Sequence, residues 1–552
     1  MLDPHIPAPR WRDLTTEEQA WVDRTLASLS AEARIGQLFN FAVNDDPEAI
    51  EAVRGLGAGA FHRFPGADLA HARDVTRALL EQSPIPPLLS GDIEGGEVSF
   101  GFATALPNQL GIAAADDPAL TYQLARIAAE EARAIGCDWS FAPVVDINAA
   151  FRSTVVGTRS YGSDVPRILA HASAHIAATQ DAGLAACAKH WPGEGFDDRD
   201  QHLLTTVNPL DMDAWRASFG HIYHELIERG VMTIMAGHIA LPAYAAVRDR
   251  SAYAPASVSA ALNIDLLRGE LGFRGLLVSD ASVMGGLTSW MDRAEAVPAI
   301  IENGCDMLLF SRDPVGDVAL MRDGLRTGRL SEARVEEAVS RVLSLKALLG
   351  LHRSEIDDRL PDVSLRSAGS RASADEAAAK SLTLVKDVPG LLPLSPVRHR
   401  RIVIAAEREQ AVFIDGAPPR SFAPLHDALV RAGFDVRAYD PDQPPTGEDS
   451  DLLLYVVGRE ATPVIASAQI DWASLHGSAK KAMRRHLGIP TLMVAFGHPY
   501  LLYDAPWIGT FVNAYSAIEP VQRALVAALT GEAGFPGRSP VDPLCGRPEL
   551  AF

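Results

Sequence analysis

Between Ala188 and His202 the chain reads AKHWPGEGFDDRDQH. It gathers Lys189, His190, Glu194, Asp197, Asp198, Arg199, Asp200 and His202 around a Pro-Gly-Glu-Gly turn, directly after an apolar run. Solvated surface carries such a density of charge, and so does an active-site loop. Gly193 and Gly195 tolerate the left-handed backbone of a sharp turn, which projects a loop from a strand end. Asp200 and His202 flank Gln201, and a carboxylate that accepts from an imidazole fixes its tautomer and strengthens it as a base. A metal set is the competing chemistry, because His190, Glu194, Asp200 and His202 are all ligand types. The i, i+4 helical spacing of zinc enzymes is absent, so no metal is expected.

Two further places carry chemistry. LLVSDASVMGGL stops a buried run at Asp280, and small residues follow that let a ligand approach. That carboxylate is either the N-cap of the next helix or a nucleophile, which must be ionised and short of competing partners. AACAKH ends in Lys189 and His190, which is costly for a buried strand unless the pair meets anions or a polar ligand. Sugar hydroxyls fit that need; an ion pair to Asp146 is the purely structural alternative. Together these residues describe carboxylate-plus-histidine chemistry on a small polar substrate. Glycoside hydrolysis matches, since its retaining form needs a nucleophile and a separate acid/base. An aldolase or a metal-assisted hydrolase matches the same residues less well.

Such residues need a scaffold that brings them together. Between residues 31 and 350, eight short apolar runs alternate with amphipathic stretches: IGQLFNFAV, GAGAFHRF, PPLLSGD, WSFAPVVDIN, AACAKH, GVMTIMAGHI, GLLVSDA and CDMLLFS. Helical patterns such as 118–136 and 165–183 lie between them. Repeated strand–helix units predict a (β/α)8, TIM-like barrel, with a doubly wound sheet as the second option; both need parallel, buried strands. In a barrel every strand's C-terminal end opens on one face, where Asp92, Asp146 with Asn148, Lys189 with His190, His238 and Asp280 would converge.

A helix over 331–351 closes the expected catalytic domain, residues 1–351. Residues 352–374 are polar and aperiodic and read as a linker. Residues 375–552 alternate again, with RRIVIAA, DVRAYD, DLLLYVVG, PTLMVAFG and TFVNAY as strands, and predict a smaller α/β domain.

Composition narrows the function classes. The net charge of −20 argues against nucleic acid or an anionic membrane as partner. No apolar stretch reaches about 18 residues without charge, so no membrane span is expected. No secretory signal is visible, and Cys137, Cys187, Cys305 and Cys545 form no C-x-x-C, so reduced thiols and a cytoplasmic location are expected. No Gly-rich phosphate loop appears, and no cofactor is expected.

At this point a resemblance enters. GDIEGGEV (91–98), FAPVVDIN (141–148), VVGTRSYGSD (155–164), KHWPGEGFDDRDQH (189–202) and NIDLLRGELGFRGLLVSDASVMGGL (263–287) occur in that order. They resemble the ordered motifs of glycoside hydrolase family 3, and most closely its bacterial β-N-acetylglucosaminidase subgroup. In the second half, AAAKSLTLVKDVPGLLPL and PTLMVAFGHPYLL resemble that family's α/β sandwich domain.

The resemblance implies a retaining, exo-acting hydrolase of terminal β-linked N-acetylglucosamine. Asp280 would be the nucleophile that forms a covalent glycosyl-enzyme. His202, oriented by Asp200, would be the acid/base on a flexible loop. Asp92, Arg159, Lys189 and His190 would hold the sugar hydroxyls, with Met235 and His238 lining the pocket. Lys189 and Arg159 would keep Asp280 ionised.

The chain departs from the subgroup's pattern in places. P-G-H-G is P-G-E-G, with Glu194, a rival acid/base and an anion that would disfavour anionic acceptors. D-S-H is D-Q-H, with Gln201. Glu97 and Phe100 stand where arginines are usual. These departures leave two alternatives open: a β-glucosidase or other β-hexosidase, and a phosphorylase that replaces water with phosphate. The oligomeric state and the natural aglycone are not legible in the sequence.

Overall fold

Eight apolar runs pair side by side, all parallel, and close on themselves in a barrel. The computed structural model describes residues 13–95, 100–245, 249–407, 421–465, 468–483 and 488–552. In chain order the strands of the first unit are β1 Phe39–Asn44, β2 Ala60–Phe64, β3 Leu88–Gly91, β4 Trp139–Ser140, β5 Ala185–Trp191, β6 Thr206–Val207, β7 Thr233–Ala236, β8 Ile239–Ala240, β9 Leu276–Ala281 and β10 Met307–Leu309. β1 pairs with both β2 and β10, which closes the ring. β6 and β8 stand outside it as a short parallel pair.

Burial on both faces explains why these runs lack alternation. Leu276 and Val278 of β9 face inward with Trp139, Cys187, Met235 and Met307. Leu277 faces outward, in the cluster shared with the surrounding helices. Cys137, Cys187 and Cys305 are buried free thiols, as core packing requires.

The helices begin where the sequence signals a cap. Asp117 caps Pro118–Ala132, and Asp164 caps Val165–Asp181, each with proline in the first turn. The helix expected over 118–136 turns 3-10 at Arg133–Ile135 and stops at Gly136, whose φ is +79°. Glu332–Leu348 caps on Ser331 and packs against Thr16–Ser28.

The second unit is a six-stranded sheet: β11 Thr383–Asp387, β12 Arg401–Ala406, β13 Asp435–Ala438, β14 Leu452–Val457, β15 Thr491–Ala495 and β16 Thr510–Asn513, in spatial order β11-β16-β15-β14-β12-β13. Alternate residues of β12 and β14 enter two separate clusters, one on each face of the sheet. Five strands match the expected runs. The sixth, β11, is an antiparallel edge strand. Its sequence, TLVKD, ends in charges and reads as a loop until a partner strand is known.

The stretch 352–374 holds a short turn of helix, Ile356–Arg359, and the start of the helix Ala368–Ser381. Arg359 is buried and donates to Pro87 O at 2.8 Å and to Asp138. Helix Ala368–Ser381 touches Pro118–Ala132 of the first unit and Glu519–Thr530 of the second. Among the described residues, no helix is long and apolar enough to cross a membrane.

Candidate active site

The C-terminal ends of the barrel strands surround a cavity of about 230 Å³, lined by Asp92, Glu94, Arg159, Lys189, His190, His202, Met235 and Asp280 among others. Two irregularities in the ladder aim its polar side chains. Lys189 pairs with Met235 and Trp191 with Ala236, so β5 spends an extra residue at His190. A bulge of this kind re-aims side chains, and here two consecutive residues both face the cavity. In β9, Val278 pairs with Met307 and Ala281 with Leu309, which places a second irregularity at Ser279 and Asp280.

Asp280 has few competitors for its charge. Oδ1 accepts from the Ala281 N–H at 2.7 Å, and Oδ2 lies 4.0 Å from His190 Nε2. Burial works against ionisation, but the imidazoles of His190, His238 and His202 outweigh it and hold the carboxyl below its usual range. The expected source of that effect, Lys189 and Arg159, is occupied elsewhere. Lys189 Nζ is 3.0 Å from Asp92 Oδ1 and 2.6 Å from Glu94 Oε1. Arg159 meets Glu94 through two parallel bonds of 2.8 and 2.9 Å. Burial opposes all four charges, yet each pair keeps its partner charged: both carboxyls are held low and both cations high. Asp92, with a side chain 31% exposed, is the member left open to a ligand.

His190 is set by a buried carboxylate. Its Nδ1 donates to Asp146 Oδ2 at 2.7 Å, and its main-chain N–H reaches Oδ1 at 3.2 Å. The contact to Asp146 weighed from sequence therefore exists as a hydrogen bond from His190, and it coexists with a cavity-facing Nε2. The neighbouring Glu194 donates its N–H to Asp146 Oδ1 at 2.8 Å. Asp146, His190 and Glu194 bring ligand atoms within 4.8 Å of one another. The first two are joined by the hydrogen bond from His190 Nδ1.

The loop from Trp191 to Thr206 carries the second expected group. Gly193 and Gly195 have φ of +118° and +111°, the left-handed turn the sequence predicts. His202 Nδ1 donates to Asp200 Oδ1 at 2.7 Å, which leaves Nε2 as the atom free to exchange a proton. The imidazole is 21% exposed and lines the cavity. Gly285 and Gly286 receive the loop, donating to His202 O at 2.7 Å and Gln201 O at 3.0 Å. A Cβ on Gly286 would lie 2.5 Å from Gln201 O, so only glycine permits the approach.

Three expectations are corrected. His238 does not line the cavity: it is fully buried, with Nε2 donating to Ala281 O at 3.0 Å and Nδ1 accepting from Ser257 at 2.8 Å. Glu194 is no rival on the cavity wall. Its carboxyl lies behind the loop, accepting from Gln201 Nε2 at 3.0 Å. Burial, with Asp146 nearby, pushes its pKa well above the usual range. Phe100 packs against Phe102 beside β3, away from the ligand space. Glu97 lies outside the described residues.

The sequence left several neighbours unnoticed. Glu94 was visible in DIEGG only as part of a motif. Phe64 and Phe310 border the cavity, as do Ala461, Thr462 and Pro463 of the second unit. That segment crosses to the barrel through Ala461 N–H to Thr158 Oγ1 at 2.7 Å, Thr462 N–H to Thr154 O at 2.9 Å and Val464 N–H to Asp200 Oδ2 at 2.6 Å. The second unit therefore closes one side of the site.

Comparisons with known proteins give the family and the fold. The family model described as "Glycosyl hydrolase family 3 N terminal domain" matches residues 30–345. A protein of Cellulomonas fimi named "Beta-N-acetylglucosaminidase/beta-glucosidase" is 38% identical over 96% of this chain and 96% of its own. A solved structure titled "Beta-glucoside phosphorylase BglX bound to 2FGlc" superposes with a TM-score of 0.89 at 32% identity, covering 98% of this chain and 99% of its own. A family 3 β-N-acetylglucosaminidase from Paenibacillus sp. str. FPU-7 superposes with a TM-score of 0.80 at 25% identity, covering 94% and 99%.

Proposed function

The chain belongs to glycosyl hydrolase family 3, and from that premise we propose that it removes a single terminal β-linked hexose, N-acetylglucosamine or glucose, with retention of configuration. The observation that carries the reading is the pairing on one cavity of Asp280, a carboxylate held ionised with few partners, and His202, an imidazole whose outer nitrogen is free.

The chemistry runs in two steps. Protonated His202 gives its Nε2 proton to the glycosidic oxygen while Asp280 attacks the anomeric carbon. The aglycone leaves as an alcohol, and the sugar stays as an ester on Asp280. Water then attacks the same carbon, His202 takes a proton from it, and the carboxylate is released. Asp92, Arg159, Lys189 and His190 hold the ring hydroxyls. A cavity of 230 Å³ is the volume of about eight waters at roughly 30 Å³ each, room for one sugar ring, which favours exo action. No cofactor takes part in these steps. The unpaired thiols of Cys137, Cys187, Cys305 and Cys545 favour a cytoplasmic setting.

Two names among the relatives bear on the sugar: the Cellulomonas fimi protein joins N-acetylglucosaminidase and glucosidase, and the phosphorylase carries a glucose-type ligand. A second reading, phosphate as acceptor, is favoured by that phosphorylase and by the place of Glu194 behind the loop, off the cavity wall, with its pKa pushed up. The test is turnover of the p-nitrophenyl β-N-acetylglucosaminide and β-glucoside, with and without phosphate. Free sugar as sole product supports hydrolysis, and sugar 1-phosphate supports the second reading. A 2-fluoro glycoside of the accepted sugar should label Asp280; a label on any other residue overturns the mechanism.

A further inference from the structure

Gln201 sits between the two residues of the acid/base pair and is fully buried. Both ends of its side chain are engaged. Nε2 donates to Glu194 Oε2 at 3.0 Å, and Oε1 accepts from the main-chain N–H of His238 at 2.8 Å. The orientation of the amide is not arbitrary: flipped, it would set its N–H against the His238 main-chain N–H. Glu194 is fixed in turn. Its N–H is held by Asp146, and Thr206 Oγ1 lies 3.4 Å from Oε1.

The chain of contacts continues. The ring of His238 donates to the carbonyl of Ala281, the residue after Asp280. One set of hydrogen bonds therefore runs from the root of the loop, through Gln201, to the strand that carries Asp280. Glu194 and Gln201 are also two of the positions where the sequence departs from its subgroup, and here they touch.

We propose that Gln201, gripped by Glu194 and by the His238 main chain, is a positioning residue that sets how His202 is presented to the glycosidic oxygen. The proposal rests on the reading of His202 as acid/base. Gln201 lies outside the cavity lining; it anchors the peptide on the N-terminal side of His202, while Asp200 accepts from both the ring and the main-chain N–H of His202.

The experiment compares kcat/KM, which reports the first step, on two glycosides of the accepted sugar. One carries 2,4-dinitrophenol, which leaves without protonation; the other carries an unactivated alkyl alcohol, which does not. His202→Ala should lose about 10²-fold or more on the alkyl substrate and far less on the dinitrophenyl one. If it shows no such difference, the acid/base reading itself fails. Given that difference, Gln201→Ser and Glu194→Ala should each lose about tenfold on the alkyl substrate and about twofold on the other. Glu194→Gln, which keeps an acceptor for Gln201, should restore the alkyl rate.

Equal losses on both substrates, or none, in the Gln201→Ser variant would overturn the proposal. So would a Glu194→Gln variant as impaired as Glu194→Ala, because Glu194 would then be moving a proton itself. Glu194→Ala and Glu194→Gln carry the test if Gln201→Ser does not fold.

Discussion

Val464 donates its main-chain N–H to Asp200 Oδ2 at 2.6 Å, so a residue of the second unit grips the carboxylate that orients His202. Val464 does so with φ of +64°, a left-handed conformation that a β-branched residue adopts at a cost of about 1–3 kcal/mol. Strain of this kind persists where surrounding structure holds it, and here the held atom points at the catalytic pair. Val464→Gly relieves the strain and keeps the N–H, so its kcat/KM should match the parent. Val464→Pro removes the donor and excludes the positive φ, and should lose about tenfold. Equal activity in the two variants would mean the contact is incidental.

Asp280→Ala should abolish turnover and retain sugar binding, measured by calorimetry with the released sugar. A variant with full activity would displace Asp280 as nucleophile.

The pH dependence follows from the direction of the Asp280 shift. The carboxyl is held below 3.8, so the ionised form persists as pH falls past that value. Activity should be lost only as pH drops through the depressed pKa. His190→Asn removes the first-named of the groups that lower it, and should move the acid limb of kcat/KM to higher pH. A limb that stays in place would assign it to another group.

Glu94 is the hinge of the charge cluster, since Arg159 and Lys189 both lean on it. Glu94→Gln leaves two nearly buried cations short of a partner, and breaking a buried pair in this way costs about 3–5 kcal/mol. Thermal unfolding should shift down accordingly, and KM should rise more than kcat falls.

Lys346 is fully buried with Nζ donating to Gln37 Oε1 at 2.6 Å. Burial, then Arg359, push its pKa down to about 7 from 10.5. Between those values the unfolded chain holds the proton and the folded chain does not, so stability rises with pH across that window, by at most roughly 5 kcal/mol. Below pH 7 both states are charged, and the folded one bears the full burial cost. Lys346→Met should therefore gain stability over the parent near pH 6.5, and lose that advantage by pH 10, as read by urea melts.

The barrel was legible because its parallel strands are short, mostly apolar runs, several of which stop at a charge. Asp92, Lys189 and Asp280 were found by that signal alone. The direction of a ring was not legible: His238 stands near a strand's C-terminal end, as His190 does, yet it turns away to Ala281. Partners were equally hidden. Arg159 and Lys189 were read as neighbours of Asp280 from the family resemblance, but only the fold reveals that Glu94 stands nearer. Ala461 to Val464 contain nothing reactive, and their role comes from the surface they are laid against. The helix Ala368–Ser381 was obscured by its polar start, where Ser367 is the cap rather than part of a linker.

The four charges at the sugar end of the cavity cancel, two carboxylates against two cations. On a chain of net charge −20 this quiets that end of the cavity and leaves the ionised Asp280 as its unbalanced charge. Affinity for an uncharged sugar should then be indifferent to ionic strength, since no counterion is displaced and nothing is left to screen. A uronic or sialic acid would have to shed its hydration and find no net positive charge to receive it, only the Asp280 carboxylate. The pocket sorts by the pattern of hydroxyls, and works the same in brine as in dilute buffer.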